Sequence, residues 1–127
     1  MSLRFDPTKG LIVVRTALTG PRGTWFARLA FDTGATTTLV NRDVLIGLGY
    51  DLVTAIDQVQ VTTGSRVEFA PKVTVQRFEA LGIRRESFPL LAHTLPPSAG
   101  IDGVIGLDLV RGFKVVIDFR SGSLSIE

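Results

Sequence analysis

The chain has 127 residues, 45% of them hydrophobic and 20% charged, enough apolar material for one buried core and too little net charge for a disordered tail. Fourteen basic against twelve acidic side chains leave a formal charge of +2, and with Arg84-Arg85 the densest basic spot there is no stripe that would track a nucleic acid. Cysteine is absent, which excludes disulfides, thiolate metal sites and a cysteine nucleophile and leaves the redox compartment unread.

Fourteen valines, thirteen threonines and eight isoleucines fall in short runs punctuated by glycine and proline, the pattern of strands. The first three residues, Met1-Ser2-Leu3, read as an addition from expression. Strands are expected over residues 11–18, 25–31 and 37–40, followed by a short helix over residues 42–48 capped by Asn41 and ended by Gly49. Further strands are expected over residues 58–62, 66–70, 72–78 and 85–92. A loose surface loop over residues 95–100 leads to a short strand at Val104-Ile105. A second helical turn over residues 107–111 stops at Gly112, and strands at 114–118 and 124–126 end the chain. Turns are expected at Gly20-Pro21, Gly64-Ser65, Pro96-Pro97 and Ser121-Gly122. This is a mostly β pattern over a single domain, residues 1–127, and it suits a closed barrel as well as a sandwich. Aliphatic runs stay far short of the roughly 20 residues that span a bilayer. The first ten residues lack a signal peptide's apolar segment, which points to the cytoplasm.

Most catalytic chemistries fall by elimination. His93 is the only histidine, so no histidine-rich metal site can form, and it reads as a loop or strand-end side chain. There is no GxSxG elbow, no phosphate-cradling GxxxxGK[ST] and no GxGxxG after a strand. The aspartates never alternate as a calcium loop. No metal and no cofactor are expected.

What remains is the segment Ala30-Phe31-Asp32-Thr33-Gly34-Ala35-Thr36-Thr37-Thr38-Leu39-Val40. A carboxylate ends an apolar strand, glycine permits a tight turn, and a second strand restarts at once. Taken alone, Asp-Thr-Gly is an ordinary β-turn in which the carboxylate binds local amides. About seventy residues on come Ile101-Asp102-Gly103-Val104-Ile105-Gly106-Leu107-Asp108 and then a hairpin with an Arg-Ser-Gly turn.

In this order and separation the motifs resemble the retropepsin-like aspartic proteases, the single-domain half of the pepsin family, over most of the chain. The resemblance implies an all-β, closed acid-protease barrel with one or two short helices. It implies that Asp32 is the catalytic residue, that Thr33 braces two active-site loops across a dimer axis, and that Gly34 and Ala35 complete the loop. Val104, Ile105 and Gly106 would support it. Residues 59–69, tipped by Thr62, Thr63, Gly64 and Ser65, sit where the family places its flap; otherwise they form a plain surface hairpin. Asp108 is expected as a helix cap or loop brace and Asp102 as part of a turn. The flap tip has a single glycine and Thr36 stands where viral members often carry a second acid, which points to a cellular or bacterial branch. Length beyond the viral enzymes is expected in loops around residues 41–57 and 80–100.

Two carboxylates sharing a proton are needed to activate a water, and the chain has one Asp-Thr-Gly. The resemblance therefore implies a homodimer acting on an extended peptide or protein substrate, with no nucleic acid and no membrane span. Two rivals stand beside it. One is a catalytically silent module of the same fold that binds peptides or dimerises. The other is a small barrel that binds nucleic acid, which lacks the interleaved aromatic and basic face such barrels use.

Overall fold

The computed structural model describes residues 1–53, 58–63 and 66–127. Strands β2 (Val13–Gly20) and β3 (Gly23–Phe31) form a hairpin whose alternation is set by burial. Val14, Thr16 and Leu18 face inward while Arg15 faces solvent, the period of two that a half-buried strand requires. After β3 come β4 (Leu39–Asn41) and the helix α1 (Arg42–Gly47), whose N-terminus is capped by the Asn41 side chain accepting from the Asp43 amide at 3.0 Å. Then follow β5 (Gln58–Thr63), β6 (Arg66–Ala80), β7 (Ile83–His93), a 3-10 turn over Pro97–Ala99, β8 (Gly103–Ile105), α2 (Leu107–Val110), β9 (Val115–Asp118) and β10 (Ser123–Ile126).

Six strands close a barrel in the order β2-β3-β8-β4-β7-β6, and β6 returns to β2 through Ala17 opposite Glu79, Leu18 opposite Phe78 and Thr19 opposite Arg77. A barrel this narrow is filled by side chains. Leu18, Leu29, Val40, Val75, Phe78, Leu90, Ile105 and Leu109 fill it and are fully buried, and the Phe78 and Phe88 rings pack with centroids 4.8 Å apart. Where the β2–β6 ladder runs out, the Tyr50 hydroxyl continues it, donating to Thr19 O at 3.2 Å and accepting from Gln76 N at 2.9 Å. A second sheet, β1-β10-β9, joins the chain ends, with β1 (Ser2–Arg4) on β10.

Two expectations change. Residues 66–70 and 72–78 are one strand of 15 residues, because Pro71 sits where β6 leaves β5 and takes up β7, a point at which its missing N–H breaks neither ladder. The strand expected over residues 85–92 is present and runs from Ile83 to His93, so the extra length expected in loops around 80–100 is largely barrel strand. The turn that opens that strand, Leu81-Gly82, has φ of 57° and 73°, the doubly left-handed geometry of a two-residue hairpin. Leucine is a poor residue for it, and the side chain is instead retained by burial at 4% exposure. Ser2–Arg4 form β1 and pair with Ser123–Ser125 of β10. The Gly64-Ser65 turn lies outside the described residues.

Candidate active site

Three strands converge on the segment after β3. β8 lies between β3, to which it is parallel, and β4, to which it is antiparallel, with Phe31 level with Ile105. The Phe31 amide donates to Ile12 O at 2.9 Å and the Asp32 amide to Ile105 O at 3.0 Å, so the strand is held up to the residue where it turns. Asp32, Thr33 and Gly34 are then exposed, and Ala35 is half-buried. The Asp32 Oδ1 accepts from Gly34 N at 2.8 Å and its carbonyl from Ala35 N at 3.2 Å. These local bonds fix the carboxylate at the loop's outer end and leave Oδ2 without a partner among the described residues.

Beneath the loop, β8 and α2 act as the support. Val104 is half-buried; Ile105 and Gly106 are buried. The Leu107 amide donates to Ala35 O at 2.8 Å. A Cβ at Gly106 would lie 2.8 Å from Ala35 O and 2.7 Å from the Thr37 carbonyl carbon, so only glycine lets α2 begin this close to the loop.

Thr38 is the residue that sequence reasoning missed. It is fully buried, donates its hydroxyl to Asp108 Oδ1 at 2.7 Å and its amide to Asp108 Oδ2 at 2.9 Å, and accepts from Gly106 N at 3.1 Å. One side chain thereby ties the end of the Asp32 loop to the first turn of α2. Of the two roles expected for Asp108, the geometry is that of the brace, since the residue before α2 is Gly106. The only signal was a hydroxyl where an apolar strand was about to begin, and the run Thr36-Thr37-Thr38 hid which threonine would turn inward.

The other acids are engaged elsewhere. Asp102 Oδ2 accepts from Arg28 N at 2.9 Å, and its own amide donates to Arg28 O at 2.8 Å. Asp118 Oδ1 accepts from Arg120 N and Ser121 N at 2.9 and 3.1 Å and closes the β9–β10 turn. His93 ends β7, with Nδ1 2.8 Å from Thr94 O. Thr62 and Thr63 lie on β5, opposite Val67 and Arg66 of β6, while Gly64 and Ser65, the expected tip of that hairpin, fall outside the described residues. Among the described residues no three histidine or acidic side chains gather as a metal site, and no helix is long and apolar enough to cross a membrane.

Residues 22–109 match the family model described as aspartyl protease. The structure is similar to the crystal structure of a retropepsin-like aspartic protease from Rickettsia conorii, with a TM-score of 0.74, 16% identity, and coverage of 99% of this chain and 88% of that one. No curated protein matches the chain. The barrel is thus the retropepsin-like fold.

Proposed function

The chain belongs to the aspartyl protease family, hydrolases of peptide bonds, and from that premise we propose an endopeptidase assembled from two copies, each supplying Asp32 to one shared site. The observation that carries this reading is the single Asp-Thr-Gly loop, with its carboxylate exposed and one oxygen unengaged, while Asp102, Asp108 and Asp118 are committed to backbone or Thr38 bonds. Two-fold symmetry brings a residue near the axis beside its own mate, so one loop per chain makes a pair of acids.

Like charges about 3 Å apart cannot both ionise, so the pair holds one proton between two carboxylates. The ionised member takes a proton from water as the oxygen attacks the peptide carbonyl carbon. The protonated member gives its proton to the carbonyl oxygen. Collapse of the tetrahedral diol returns that proton and delivers the other to the departing nitrogen, which leaves an acid and an amine. No covalent bond to the protein forms at any step. Thr33 would hold the two loops to one another across the axis, and the β5–β6 hairpin would close over an extended substrate by strand-like pairing.

The test is Asp32→Asn, which is close to isosteric and keeps an oxygen for the Gly34 amide. Peptide-library cleavage is expected to disappear while the melting temperature holds. Equal cleavage by both forms would remove Asp32 from the chemistry, and an intact dimer that cleaves nothing in either form would leave a silent peptide-binding module.

A further inference from the structure

The outer face of β2 and β3 leads to Asp32. Register sets Val13 opposite Ala30 and Arg15 opposite Arg28. Their neighbours Val14 and Leu29 point into the barrel. Alternation therefore puts Arg15 and Arg28 outward, on the side of β3 shared by Ala30, which is buried, and by the exposed Asp32.

Two like charges directly opposite each other destabilise a sheet, and here both are held by neutral groups. Arg28 Nη1 donates to Gly100 O at 3.3 Å, and the Arg15 guanidinium lies 4.2 Å from the centre of the Phe26 ring. Asp102, the acid nearest in the hydrogen-bond network, directs Oδ2 to the Arg28 amide rather than to its guanidinium. Beside Arg15 opens a hollow of about 330 Å³ lined also by Ala17, Phe26, Glu79 and Arg84. Glu79 lies 4.0 Å from Arg77 and 3.9 Å from Arg84, so its charge is already engaged. The face thus presents two positive charges with no carboxylate at ion-pair distance among the described residues.

Four residues of strand separate Arg28 from Asp32, about 13 Å at 3.3 Å per residue, and an extended substrate advances at the same rate. We propose that Arg28, backed by Arg15, selects an acidic substrate side chain about three to five residues from the cleaved bond. Gly100 holds the Arg28 guanidinium in place, and Phe26 holds that of Arg15, so less side-chain freedom is lost when the acid arrives. The inference rests on Asp32 as the reacting group.

Matched fluorogenic peptides carrying Glu, Gln or Lys at each of those positions, on either side of the cleaved bond, test it. For exposed charges the expected preference of wild type for Glu over Lys is about two- to fivefold in kcat/KM, carried by KM. It should shrink as salt rises. Arg28→Glu and Arg15→Glu should each invert the ratio, and Arg28→Gln, which keeps a donor for Gly100, should abolish it without inversion. Equal handling of Glu and Lys peptides by wild type would overturn the selection while leaving Asp32 in its role. Should no peptide be cleaved, the reading of Asp32 fails, and binding of the same peptides to the Asp32→Asn protein decides the matter. Tighter binding of the Glu peptide, lost in Arg28→Glu, would sustain the arginine pair. Indifference would end it.

Discussion

Thr38 shows how a residue without a reactive role can hold the loop on which the proposed chemistry rests. Its hydroxyl is at once donor to Asp108 and acceptor from Gly106 N, so Thr38→Val removes both bonds while keeping the shape. A buried polar group left unpaired costs about 1–3 kcal/mol, and the half-buried Asp108 carboxylate and the Gly106 amide are the groups that would be left. The melting temperature is expected to fall by several degrees, since a domain of this size loses roughly 3–6 °C for each kcal/mol. Thr38→Ser should recover most of that loss. Peptide cleavage should fall further than stability does, because the slackened brace sits under the Asp32 loop; a variant that melts early yet cleaves at the wild-type rate would show that the brace serves the fold alone. Tyr50→Phe is the control at a distance. It deletes the bridge from Thr19 to Gln76 and is expected to cost a similar amount with no added loss of cleavage, read by the same two measurements.

At the scale of elements, β2, β3 and β10 were legible because alternation and turn residues agreed, and Asn41 announced α1 through its capping chemistry. The misses have physical causes. Pro71 reads as a break, yet it stands where a strand changes partners and no donor is wanted. Leu81-Gly82 carries no turn signature, because burial of the leucine offsets a backbone conformation that favours asparagine or glycine. β1 is too short and polar to show a period and exists through its pairing with β10. The Asp32 loop and its glycine were visible in order and spacing; the Thr38–Asp108 tie was not, since it joins residues 70 apart. The β9–β10 hairpin offers a pH prediction of its own. The Ser121 amide first, then that of Arg120, holds the Asp118 carboxyl below its ordinary value of 3.8. A group depressed by folding stabilises above its unfolded value and loses that contribution as pH falls through the folded one. Melting curves of wild type and Asp118→Ala should therefore differ near neutral pH and draw together below about pH 3.8, where protonation sets in. A gap that persists into strong acid would mean that the alanine acts through packing.

For the whole molecule, the proposed chemistry needs a second copy, and that requirement can be separated from folding by mixing. If each active dimer holds two Asp32 carboxylates, wild type combined with an equal amount of Asp32→Asn protein forms mixed pairs that carry one carboxylate and one amide. Such a pair cannot share a proton between two acids, so it supplies no base and acid together. Random exchange puts about half of the wild-type chains into mixed pairs, and cleavage should fall to about half that of wild type alone. Excess variant should press it toward zero. Dilution of wild type by itself should lower the rate per chain as dimers part, with light scattering following the same midpoint. Cleavage should also trace a bell against pH, falling in acid when both members are protonated and in base when both are ionised. Mixing that leaves the rate untouched, together with a rate per chain that ignores dilution, would mean that one copy does the chemistry alone, and Asp32 would then need a partner acid from within its own chain.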